Sequence, residues 1–91
     1  MLVRWSPEAY SDLARIVEHI RKHNRTAALA VAKTIYEGVS GLKTFPRRGR
    51  RGRVDGTREL VLPALPFVVI YRVTQNAVEV ARVLHGAQRW P

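Results

Sequence analysis

The chain has 91 residues, no cysteine and a formal charge of +9, from sixteen lysines and arginines against seven aspartates and glutamates. That length suits one domain over residues 1–91, able to fold without staples, and the missing thiols exclude disulfides and thiolate metal sites. So large a basic surplus repels itself in the folded state and predicts a polyanionic partner, either nucleic acid or an acidic protein.

Met1 leads straight into Leu2-Val3-Arg4-Trp5-Ser6 without the apolar core of a signal peptide, and the longest apolar run, Leu65 to Tyr71, is too short for a bilayer. A soluble cytoplasmic protein with no membrane partner is expected. Leu2, Val3 and Trp5 predict an N-terminal strand with Arg4 on its other face. Ser6-Pro7-Glu8 then opens a helix, with Ser6 to accept from the orphan amides and Glu8 at the positive helix end. Leu13, Ile16, Val17 and Ile20 form its apolar face, with Tyr10 a turn earlier. Asp12, Arg15, Glu18, Arg21 and Lys22 read as a solvated face, with Glu18 and Lys22 as an i, i+4 pair. The helix ends near His23-Asn24. His19 and His23 stand at i, i+4 without a companion carboxylate motif, a solvated pair rather than a metal site, and neither metal nor cofactor is expected.

A second helix is predicted from about Thr26 to Thr44, capped by Thr26, with Ala28, Ala32, Ile35, Val39 and Leu42 as its stripe. The two helices read as an antiparallel hairpin. Gly38 and Gly41 weaken the second helix by ~1 kcal/mol each, a loss that packing on a sheet must offset. Pro46 ends it. From Pro46 to Gly56 glycine and arginine alternate, and Arg47, Arg48, Arg50, Arg51 and Arg53 repel one another. This reads as a solvated loop, either a mobile connector or a contact for phosphate or acidic side chains. Three strands follow, roughly Thr57 to Leu62, Phe67 to Val73 and Val78 to Leu84, with links short enough to make them antiparallel neighbours. Period two puts Phe67, Val69, Tyr71 and Val73 on one face, and Val68, Ile70 and Arg72 on the other. With helices over the first set, Arg72 opens onto the uncovered face. Arg82 either joins it there, or both arginines pair with Glu59 or Glu79.

Trp5-Ser-Pro-Glu-Ala, Gly52-Arg-Val, Gly56-Thr-Arg-Glu-Leu, Pro66-Phe-Val-Val-Ile-Tyr-Arg-Val and Arg82-Val-Leu-His-Gly, in this order, resemble the RelE/ParE family of toxins over essentially the whole chain. The resemblance implies an α+β fold: an N-terminal strand, then an antiparallel two-helix hairpin on one face of a mainly antiparallel sheet of three to four strands. It also implies a growth-inhibiting toxin of a type II toxin-antitoxin system of the plasmid-stabilisation kind. A cognate antitoxin would hold it in a hetero-oligomer and bring the complex to operator DNA.

Two activities divide that family. RelE-like members cut mRNA in the ribosome with basic residues from the two middle strands, and often a tyrosine or histidine near the C-terminus. At the corresponding strand positions this chain carries Glu59, Val61 and Val68, none of them basic. A metal-independent endoribonuclease would have to use His85 as acid or base and Arg82 or Arg72 on the phosphate, although Gly86 stands where relatives carry tyrosine. ParE-like members bind DNA gyrase and stabilise its cleaved complex with DNA, which needs no catalytic residue of the toxin. The pattern leans to that branch, with Arg47, Arg48, Arg50, Arg51, Arg53, Arg58, Gln88, Arg89 and Trp90 as candidate target contacts. A plain nucleic-acid-binding module is a third reading, which explains the charge but not the family pattern.

Overall fold

In the computed structural model, which describes residues 1–86 and 88–91, seven elements follow one another. They are β1 (Leu2–Trp5), α1 (Pro7–Arg21), α2 (Arg25–Gly41), β2 (Arg50–Arg51), β3 (Arg58–Val61), β4 (Phe67–Val73) and β5 (Ala77–His85). Ser6 caps α1 by accepting the Ala9 N–H at 3.0 Å. The cap of α2 is Asn24 rather than Thr26. Its Oδ1 takes the Ala27 N–H at 3.0 Å from an extended backbone, which leaves Thr26 inside the first turn. The helix also stops at Gly41, short of Thr44.

The sheet runs β1-β5-β4-β3-β2. Five strands exceed the expected three to four, because two arginines of the basic loop form β2 at one edge, with Arg50 opposite Glu59 and Arg51 opposite Arg58. At the other edge β1 lies parallel to β5, from Leu2 opposite Ala77 to Trp5 opposite Val80. The inner pairings are antiparallel. Among the described residues no helix is long and apolar enough to cross a membrane.

One layer of side chains joins helices to sheet: Ile35, Val39 and Leu42 from α2 against Leu60, Val69, Tyr71, Val78, Val80 and Val83. α2 sits close because Gly38 carries no side chain; a Cβ there would come within 2.6 Å of Leu62 Cδ2. α1 packs from the flank instead. Leu13, Ile16, Val17 and Ile20, expected to share this core equally, are only half-buried.

The flank position of α1 follows from the edge it covers. β1 ends opposite Val80, which leaves the outer edge of β5 unpaired from Ala81 onward. The chain entering α1 takes over that edge: Ser6 N–H donates to the Val80 carbonyl at 2.9 Å, and the Ser6 hydroxyl to the Ala81 carbonyl at 2.8 Å. Asp12 then accepts the Val83 N–H at 3.0 Å, Arg82 Nε and Nη2 at 2.7 and 2.9 Å, and Arg15 Nη2 at 2.6 Å. Asp12 is 3% exposed, so it is no part of a solvated face. Glu18 does lie outside, but paired with Arg21 at i, i+3 rather than with Lys22. Burial pushes the Asp12 carboxyl up, yet the hydrogen bonds from Arg82 and Val83 and the charges of Arg82 and Arg15 outweigh it and hold it below the usual carboxylate value.

Two stability predictions follow from this packing. Asp12→Asn should cost roughly 2 to 4 kcal/mol in urea unfolding, because it strips the charge from a buried acceptor of three guanidinium bonds. Since the folded carboxyl is depressed, its contribution is complete above about pH 4 and disappears as pH falls through the folded value. The Asn variant should therefore lack that acid limb; an unchanged pH profile would show that Asp12 is not its source. In the core, Val69→Ala should cost about 2 kcal/mol or more and Ile16→Ala less per carbon removed, because only Val69 is fully enclosed.

Candidate target-binding surface

Five arginines within seven residues ought to spread apart in water, and the sequence reads as a solvated loop, either a mobile connector or a contact for phosphate or acidic side chains. Here the backbone is pinned from below. Tyr71, in the middle of β4 and fully buried, donates its hydroxyl to the Pro46 carbonyl at 2.8 Å and accepts the Gly49 N–H at 2.8 Å. Arg58 Nη1 donates to the Gly49 carbonyl at 2.7 Å and the Arg47 carbonyl at 3.2 Å. Gly49 must be glycine for this approach, since a Cβ would stand 2.6 Å from the Tyr71 hydroxyl oxygen and 2.9 Å from the Glu59 carbonyl oxygen. Beyond it, Arg50 pairs with Glu59 at 2.9 Å. The turn before β3 is closed by Thr57, whose hydroxyl and N–H both donate to the Val54 carbonyl.

Arg47, Arg48, Arg50, Arg51 and Arg53 are thus all exposed on a fixed backbone. Arg58, grouped with them as a contact in the sequence, is half-buried and serves as a strut under the loop.

The face of the sheet away from the helices carries Glu59, Val61, Val68, Ile70 and Leu84 at its centre, as the register dictates. Arg72 stands opposite Glu79 and donates to the Asp55 carbonyl at 3.4 Å. Arg82 falls opposite Ile70, but its guanidinium turns round the β5 edge to Asp12. Neither Glu59 nor Glu79 is its partner. The bond to Asp12 pushes its pKa up further, against some loss from burial. A register slip between Ile70 and Tyr71, with Ala81 as the extra residue, puts Val80 and Val83 on the same face despite their odd spacing.

His85 ends β5 opposite Phe67, the rings edge to face at 6.0 Å. Its N–H donates to Gln88 Oε1 at 2.7 Å and its carbonyl accepts the Gln88 N–H at 2.9 Å, which turns the tail back. Trp90, half-buried, lines a cavity with Val68, Ile70, Leu84, Arg50 and Arg53, while Arg89 is exposed. The strand partner of His85 lies five positions from Arg72 along β4, roughly 17 Å at the rise of a strand. Arg72 is therefore remote from His85, and the Arg82 guanidinium is engaged by Asp12, which lines a cavity with His85 and Gln88.

Three features escaped the sequence reading. Asp12 had a signal, since it shares the helical face of Ala9 and Ile16 and so points a carboxylate inward. Tyr71 had one too, because a hydroxyl centred in an apolar strand needs a buried partner. Nothing local announced that Trp90 would line one cavity with Ile70 and Leu84, which are 3% and 6% exposed on a face that no helix covers.

Residues 3–90 match the family described as ParE toxin of type II toxin-antitoxin system, parDE. The candidate toxin Y4kP of Sinorhizobium fredii is 38% identical over 89 residues, spanning 98% of this chain and 92% of that protein. Toxin RelE2 of Caulobacter vibrioides is 29% identical over 86 residues, spanning 94% and 96%. A solved chain from the chromosomal ParDE toxin-antitoxin system of P. aeruginosa superposes with a TM-score of 0.86 at 28% identity, covering 93% of this chain and 95% of that one. The parallel β1–β5 edge, the helix pair and the antiparallel strands that follow are accordingly those of the ParE toxin family, and the chain belongs to it as a toxin of a type II toxin-antitoxin system.

Proposed function

We propose that this toxin arrests growth by binding DNA gyrase and stabilising its cleaved complex with DNA, and that a cognate antitoxin neutralises it. The observation that carries this reading is the composition of the open sheet face. An RNA-cleaving toxin of this family needs basic groups there to hold a phosphate and neutralise it as it reacts. In their place stand Glu59, Val61, Val68 and Ile70, with Trp90 beside them. Of the two arginines that the sequence offers as phosphate ligands, Arg82 is engaged by Asp12 and Arg72 lies far along β4 from His85. Binding without chemistry asks only for a rigid, charged surface, and the loop from Arg47 to Arg53 supplies one. An antitoxin segment bearing acidic or amphipathic character would complement the same basic chain.

The deciding experiment compares the purified chain in two assays, gyrase-dependent DNA breaks and mRNA cleavage on translating ribosomes. Breaks without mRNA cleavage are expected. His85→Ala should leave them unchanged, and replacing Arg47, Arg48, Arg51 and Arg53 together by glutamine should slow association with gyrase by about tenfold or more at low salt. Cleaved mRNA that disappears with His85→Ala would overturn the reading in favour of a RelE-like endoribonuclease. Growth arrest by the chain alone, relieved by co-expressing the neighbouring small gene, tests neutralisation.

A further inference from the structure

We infer that the turn Phe45–Arg48 is the protein-docking plug of this toxin: Phe45 seats in an apolar cleft of gyrase, and Arg47 and Arg48 pair with carboxylates on its rim. This deepens the gyrase reading and rests on it. Phe45 is 65% exposed, at the point where α2 gives way to the loop. A single exposed aromatic is ordinary on a protein surface. What sets this one apart is the backbone that carries it. The Phe45 N–H donates to the Gly41 carbonyl and the Arg48 N–H to the Phe45 carbonyl, each at 3.1 Å. The Pro46 carbonyl and Gly49 N–H are bound by Tyr71, and the Arg47 carbonyl by Arg58. The fold commits a buried hydroxyl and a half-buried guanidinium to this backbone, while Phe45, Arg47 and Arg48 project into solvent.

Such an arrangement binds without first ordering a loop, and aromatic and arginine side chains are the residues that most often dominate interface energetics. The charge fits an acidic rim. A protein surface suits the turn better than a nucleic acid, because loops that cradle phosphate do so with outward backbone amides. Here the amides of Arg48 and Gly49 are both already engaged, by the Phe45 carbonyl and the Tyr71 hydroxyl. One ring, moreover, offers a stacking platform for a single base.

The test uses purified gyrase holoenzyme with plasmid DNA, reading both the affinity of labelled toxin and the yield of trapped breaks. Phe45→Ala should weaken binding by about tenfold or more with an unchanged melting temperature, and Phe45→Leu should recover most of the loss. Arg47→Glu with Arg48→Glu should weaken it further, and the corresponding lysine pair should fall between. Tyr71→Phe, which meets no partner, should also weaken binding under conditions where the variant is fully folded, by releasing the turn. An unaltered chain that neither binds gyrase nor traps breaks would sink the gyrase reading itself, and the plug with it. An active chain whose Phe45→Ala variant matches it would overturn the plug alone. An equal loss by Phe45→Ala on a single-stranded oligonucleotide without gyrase would reassign the turn to nucleic acid.

Discussion

The Asp12 carboxylate is the point on which the two layers of this fold depend. β5 is the longest strand, but β1 covers only its first half. The second half would present bare amides along a sheet edge, a liability for any soluble protein. The helix that follows β1 answers this with its own cap residue and one buried acid, so that Ser6 and Asp12 together continue the pairing that the strand abandons. That acid can remain charged in the interior because two arginines converge on it, one from the next strand residue and one from the next helical turn. The ion cluster holds α1 at the β5 edge, while Ala9, Leu13 and Ile16 supply its apolar contacts with the core.

A second constraint acts from the opposite side. Tyr71 contributes its ring to the core and its hydroxyl to the loop, so packing of the sheet and placement of the arginines are one and the same event. Glu59 neutralises Arg50, and hydrogen bonds from Tyr71 and Arg58 hold the backbone at Pro46, Arg47 and Gly49, so the arginines stay close together. For a binding surface this is favourable, since any acidic partner relieves strain as well as adding contacts.

Much of this was legible in the chain. The N-cap of α1, the stripe of α2, the alternation along β4 and the short links before and after it gave both helices and the antiparallel order of β3, β4 and β5 from local chemistry alone, although α1 stops at Arg21 rather than near His23-Asn24. What stayed hidden was nonlocal or two-faced. Arg82 and Asp12 lie seventy residues apart and on elements whose adjacency no local pattern reveals. β2 is two charged residues long and has no apolar alternation by which a strand is recognised. Asn24 and Thr26 are both competent caps two positions apart, and only the backbone decides between them. On the site, the exposure of the five loop arginines was legible, but not the strut that Arg58 makes beneath them, because its acceptors are backbone carbonyls of the loop.

The parallel pairing of β1 with β5 has a consequence for the assembly of the chain rather than its shape. β1 has its partner in β5, at the far end of the order of elements, and the carboxylate of α1 completes its set of bonds only with Val83 and Arg82 of that same strand. Before β5 is in place, β1 lacks its strand partner, and Asp12 has Arg15 but neither Arg82 nor the Val83 amide. Such nonlocal closure is slow to assemble and unstable in part. The β1 edge of the sheet and the Asp12 cluster therefore close together, in a single nonlocal step that brings the two ends of the fold into register.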